Sequence, residues 1–243
     1  MPKVNSICVL MADGAGNNGP VKILDLLLNV ETCGHMLISG SNGEGKTSNI
    51  IEPWLWLFDK NAGVKDRHIK DIYNPEKGRV MSMPYVFFLD WTLDAPAGEK
   101  LAVGHEHLLT GFVLDSRLSE GGELRARYFH FTHGDAEFRS DWMETIRRHG
   151  LRAYEKSSDG CIVPHKFDEI VQSLKTHGAR VFTAREQRAF RESLEREYGF
   201  FKIAPYIELM KVCADHEDAV GTLREDKDYK ADTGLMDLSL IHI

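Results

Sequence analysis

Gly40-Ser41-Asn42-Gly43-Glu44-Gly45-Lys46-Thr47 matches G-x-x-x-x-G-K-[ST] over its full length, with Ser48 continuing the polar run. Each residue type in the pattern has a physical reason. Glycines let backbone N–H groups curl around an anion without Cβ clashes, and a helix starting there adds its positive dipole end. The Lys46 ammonium is expected to bridge the β- and γ-phosphates of a nucleotide, the one catalytic role assigned from sequence. The Thr47 hydroxyl is expected to ligate Mg²⁺. Gly40, Ser41, Asn42, Gly43, Glu44, Gly45, Lys46, Thr47 and Ser48 are therefore the candidate site for ATP and Mg²⁺.

A glycine turn that matches by accident would lack a strand before it and a helix after it. Here His35–Ser39 reads as a strand leading in. A helix starting near Lys46 places Ile50, Ile51, Trp54, Leu55 and Phe58 on one face, and Pro53 should kink or shorten it. Upstream, Ile7–Ala12 is an apolar strand, Asp13–Pro20 is dense in turn formers, and Val21–Val30 alternates in part and pairs back as a hairpin. Residues 60–80 are a polar excursion. Tyr85–Leu93, Leu108–Asp115 and Leu124–Phe131 then read as three strands of an antiparallel meander, rich in β-branched and aromatic residues. Past residue 160 the period becomes helical. Phe167, Ile170, Val171 and Leu174 share a stripe closed by Gly178, and Thr183–Glu186 is a capping box opening a helix through Tyr198. Pro205 suits the first turn of a last helix with Tyr206, Leu209, Met210 and Cys213 inward. The fold class expected is α/β, a P-loop NTPase with a mixed sheet, an antiparallel meander and a helical C-terminal part.

Composition bounds the alternatives. The chain has 243 residues, 42% hydrophobic and 28% charged, with a formal net charge of −7. That excludes a disordered tail, a collagen-like polymer and a disulfide-stapled miniprotein. No apolar run approaches the roughly 20 residues of a membrane span, and the start lacks the order of a signal peptide. Cys8, Cys33, Cys161 and Cys213 are far apart, with no C-x-x-C pair, which points to a reduced, cytoplasmic setting. An acidic balance argues against a protein that coats nucleic acid, while leaving room for one basic face.

The order of a strand ending in LLLNV, a short MLISG strand and then SNGEGKTS resembles the amino-terminal half-head of the SMC-like ATPases, with Asn42-Gly43 the telling detail. The following succession of YVFFLDWTL, LLTGFVLDSR, RARYFHF and EYGFFKIAPYIELMKV is similar to the MukB-type branch, and within it to the JetC-like subunits of Wadjet plasmid-defence systems. The resemblance covers about residues 4–225. It implies an N-terminal lobe over 1–225 and a truncated linker towards a coiled coil over 226–243. Walker B, signature motif and catalytic Glu would lie in a C-terminal lobe of the same protein, outside this chain. It further implies a homodimer through the heads, kleisin-like and accessory subunits, DNA in the full complex, and no membrane. Leu238–Ile243 resembles a translated transposon adapter at the end of a metagenomic read, so a truncated reading frame is expected.

Several segments imitate missing parts. Tyr85–Asp90 has the Walker B shape, but Trp91 stands where a hydrolytic enzyme needs Glu, and a core strand fits as well. Leu118-Ser-Glu-Gly-Gly-Glu123 has the composition of an L-S-G-G-[QE] signature with one residue inserted, and reads better as a turn between strands. His105-Glu-His107 and His130-Phe-Thr-His133 lack the carboxylates or cysteines that would complete a metal site, and read as solvated histidines. Arg147, Arg148 and Arg152, and Arg185, Arg188, Arg191 and Arg196 among four glutamates, read as a solvated, salt-bridged face, with DNA contact over 184–198 as the alternative. Arg67 and Arg79 could reach the nucleotide. Trp54 and Trp56 read as core.

Two other functions fit the loop. A self-contained P-loop kinase or nucleotide transferase would need an arginine-bearing lid and an acceptor pocket. A non-hydrolysing nucleotide-sensing module would need neither. On the SMC-like reading the chain alone binds ATP weakly and hydrolyses it negligibly, because only the loop's share of the catalytic parts is present.

Overall fold

The computed structural model describes residues 2–11, 25–30, 50–62, 69–70, 83–93, 107–116, 123–132, 146–200, 203–205 and 207–208. A six-stranded sheet runs through them. Its strands are β1 (Lys3–Met11), β2 (Leu26–Asn29), β3 (Tyr85–Thr92), β4 (His107–Leu114), β5 (Ala126–Thr132) and β8 (Arg180–Thr183), in the order β2-β1-β3-β4-β5-β8. Every pairing among these strands is antiparallel, while the strand at 36–39 that the expected mixed sheet also includes lies outside the described residues. The three-strand meander stands as read, and β1 and β2 pair antiparallel as expected.

Both faces of this sheet are covered, which explains why β3 is apolar nearly throughout instead of alternating. One face carries Ile7, Val9, Tyr85, Phe87, Leu89 and Trp91, packed beneath α1 (Glu52–Phe58) and α3 (Gln187–Tyr198). The other carries Cys8, Leu10, Val86, Phe88, Leu109 and Phe129 beneath α2 (Phe167–Thr176). The result is a three-layer α/β unit with the sheet in the middle.

The helices obey their local signals. α2 buries Phe167, Ile170, Val171 and Leu174 as one stripe and ends before Gly178, whose φ of 81° only glycine adopts without strain. Glu186 accepts the Thr183 N–H at 2.8 Å, the carboxylate half of the capping box, through a 3₁₀ turn (Ala184–Glu186) that leads into α3. The proline does not kink α1. Ile50 and Ile51 form a π turn, the α-helix starts at Glu52, and Pro53 sits in its first turn, where a missing N–H costs nothing.

Two features go beyond the sequence expectation. Residues 154–164 form a hairpin of β6 (Tyr154–Lys156) and β7 (Ile162–Pro164), and β8 joins the main sheet beside β5. No helix among the described residues is long and apolar enough to cross a membrane. The strand at 36–39, the last-helix residues Tyr206, Leu209, Met210 and Cys213, and the segment 226–243 lie outside the described residues.

Candidate functional site

The nine loop residues Gly40–Ser48 lie outside the described residues; the described elements that flank them in the chain are β2 and α1. On the entry side, β2 is held against β1, and the N–H of buried Val30 donates to the Asn5 carbonyl at 2.6 Å. On the exit side stands α1, all seven of whose residues are buried. Trp54 meets Trp91 edge-on at 6.0 Å between centroids, and Phe58 lies 6.3 Å from Trp91 and 6.5 Å from Phe200. Trp54 and Trp56 are thus core residues, as read from the sequence. This helix is short and has no side-chain N-cap bond, so aromatic packing holds it more than intrinsic propensity does.

The end of α1 is clamped by polar groups. Gln187, itself buried, donates from Nε2 to the carbonyls of Trp56 at 2.7 Å and Leu57 at 3.1 Å, and its Oε1 accepts the Lys60 N–H at 2.9 Å. The Lys60 ammonium reaches the Ala184 carbonyl at 3.0 Å. Carbonyls in a last helical turn have no partner within the helix, and Gln187 supplies one for two of them.

Asp90, the Walker-B-like carboxylate, is only 2% exposed. Its Oδ2 accepts Asn5 Nδ2 at 3.2 Å and its Oδ1 lies 3.2 Å from His107 Nδ1, while the Thr92 hydroxyl donates to Asn5 Oδ1 at 2.8 Å. Asn5 Nδ2 lies 3.2 Å from the same His107 Nδ1, so the three side chains form one polar cluster. A register shift between Val4 and Ser6 places Asn5 in this network. Along β3, Asp90 shares parity with Val86 and Phe88, so it faces the α2 side of the sheet while α1 packs on Trp91 from the other. Its surroundings are those of a structural carboxylate at the end of an antiparallel ladder. Of the signature-like Leu118–Glu123, residues 118–122 lie outside the described residues, and the flanking strands pair as β4 and β5, with the Asp115 N–H donating to the Arg125 carbonyl at 2.9 Å.

The histidines divide. His105 and His133 lie outside the described residues, and among those described no cluster of three or more His, Cys, Asp or Glu could hold a metal ion. His130 corrects the expectation of solvated histidines, being 2% exposed between Phe182, Phe190 and Tyr198. It was missed because its burial comes from α3, far along the chain, and no local signal announces it.

Several of the basic residues are paired with carboxylates. Arg188 meets Glu192 at 2.8 Å, Arg196 and Arg180 both meet Glu197, and Arg185 meets Glu123 at 2.8 Å. An open groove between β5 and the 3₁₀ turn carries Arg125, Arg127 and Arg185. Arg125 there is spanned by Asp115 and Asp168, and chiefly its bond to Asp168 raises its pKa. With a carboxylate on each side of it, this groove is no anion funnel, and the salt-bridged reading of the basic segment stands. Arg67 and Arg79 lie outside the described residues. No protein-family model, curated protein or solved structure matches this chain.

Proposed function

We propose that this chain is the ATP-binding part of an SMC-like ATPase head. One observation carries the reading: the full G-x-x-x-x-G-K-[ST] match at 40–47 is followed in the chain by a helix, from Glu52, that is wholly buried on the sheet and clamped at its far end. The donor set suits a nucleotide, with Lys46 to pair with phosphate oxygens and the Thr47 hydroxyl to ligate Mg²⁺. With a C-terminal lobe supplying the signature and hydrolytic carboxylate, two heads would close on two ATP molecules and drive DNA loop extrusion or entrapment, in chromosome organisation or plasmid defence. A self-contained kinase would instead need Asp90 at the Mg²⁺, and its engagement with Asn5 and His107 on the face away from α1 disfavours that.

A titration with a fluorescent ATP analogue tests the reading. A charge-assisted contact contributes about 1.5–3 kcal/mol, so Lys46→Ala should weaken binding about ten- to a hundredfold. Thr47→Ala should chiefly remove the Mg²⁺-dependent part, and Asp90→Asn should leave affinity unchanged. Unaltered affinity in Lys46→Ala would overturn the assignment.

A further inference from the structure

An imidazole stands where the β6–β7 hairpin meets α2. His165, the residue after β7, donates its backbone N–H to the Ala153 carbonyl at 2.9 Å and so closes the base of the hairpin. One residue on, Lys166 is the N-cap of α2, and Glu169 Oε2 in the first turn accepts the Lys166 N–H at 2.8 Å. The His165 ring lies between the two elements. Its Nδ1 is 3.2 Å from that same Glu169 oxygen, and its Nε2 is 3.4 Å from Glu155 Oε1 on β6. The side chain is 19% exposed, and Nε2 is shut off from solvent with no hydrogen bond formed among the described residues.

A neutral imidazole carries one N–H and one bare lone pair. Whichever tautomer His165 adopts, one nitrogen donates to a carboxylate and the other turns a lone pair towards a second carboxylate. Two facing acceptors repel, and a buried polar atom left without a partner costs free energy. Only the imidazolium, with a donor on each nitrogen, satisfies Glu155 and Glu169 together. The charged groups facing the ring from the elements packed on it are these two carboxylates and, beside Glu169, Lys166. Glu169 is held below the ordinary carboxylate range, first by the Lys166 N–H and further by His165, so it stays an acceptor wherever a histidine changes charge.

We infer that His165 is a proton-operated latch: charged, it fastens the hairpin to the start of α2, and neutral, it gives up one of its two holds. Only the closed hairpin uses the second N–H. Closing therefore gains as pH falls from about 8 to 5 and weakens as pH rises through the same range. The hairpin carries the exposed apolar side chains Ile162 and Val163, so the latch sets how firmly that strand is presented. It does not depend on the function proposed above.

Native-state hydrogen exchange on the full chain tests the latch. The reporters are the Ser157 and His165 N–H groups, which bond to the Cys161 and Ala153 carbonyls, and the amides of β3 and β4 are the reference. Rates are divided by those of unstructured peptides at the same pH. Partly exposed ion pairs contribute modestly, so the reporters should be about two- to fivefold better protected near pH 5.5 than near pH 7.5. The reference amides open only with the whole fold and should not share that rise. His165→Gln keeps a hydrogen-bonding side chain without the charge and should flatten the difference. Glu155→Gln, at an exposed position, should reduce it and covers the case in which His165→Gln does not fold. No difference in the wild type, a difference that persists in both variants, or a rise shared by the reference amides overturns the inference.

Discussion

At the scale of single residues, His130 ties acidity to stability. Ser193 Oγ donates to the Phe190 carbonyl at 2.7 Å, so it accepts from His130 Nε2–H at 3.0 Å, and Nδ1 is buried without a partner among the described residues. Charging the ring would place a second N–H in that dry position. Burial, with Arg180 adding and Glu197 opposing, lowers the imidazole pKa from 6.5 to about 4. The unfolded chain therefore binds a proton between about pH 6.5 and 4 that the folded one refuses, and stability falls as pH falls through that window. The loss between pH 7 and pH 5 should be about 2 kcal/mol, read from urea midpoints. His130→Phe should remove most of that slope. The carboxyls of Glu169, Glu186 and Glu197 lie below their ordinary values, each held down first by a hydrogen bond, so they act at more acid pH and do not mimic it. An equal slope in the variant would assign the effect elsewhere. None of this was readable from Tyr128–Thr132, because the wall that dries His130 is α3.

Among the elements, β4 is pinned by a residue without a side chain. A Cβ on Gly111 would meet the Phe87 carbonyl oxygen at 2.4 Å, Phe129 Cζ at 2.6 Å and Phe88 Cβ at 2.6 Å. Two of these belong to the backbone or the root of a side chain, so neither can swing away. Gly111→Ala should cost about 2 kcal/mol or more, seen as a lower denaturation midpoint, and an unchanged midpoint would contradict the packing. Glycine inside a strand marks such close approach. The meander was legible because its strands are long and bounded by turn formers, α2 because of its apolar stripe and closing glycine, and α3 because of its capping box. β8 was not, since Arg180–Thr183 has only four residues and gains its place from β5, not from its own pattern. The β6–β7 hairpin is short and exposed along Ile162–Pro164, with only Tyr154 packed against the core, so it offers periodicity little to report. α1 was legible as a buried helix, but its start was displaced by the π turn at Ile50–Ile51.

For the molecule as a whole, the candidate site divided along the same line. Gly40–Thr47 announces itself because phosphate binding needs consecutive residues. The Asn5, Asp90 and His107 cluster and the Gln187 clamp join residues remote in sequence, and only the folded sheet brings them together. The strand order has a consequence in time. β3, β4 and β5 are sequential neighbours, whereas β1 must reach across 12–84 to pair with β3. Closing a long loop costs more entropy than closing a short one, so the meander is the template and the β1–β2 hairpin docks on it late. Pulse-labelled hydrogen exchange during refolding should find amides of β3–β5 protected before those that bond β1 to β3, and simultaneous protection would contradict this order. The segment bearing Gly40–Thr47 belongs to that last-closed loop. On the function proposed above, a ribosome-bound or partly refolded chain would thus hold a finished meander well before it could grip a phosphate.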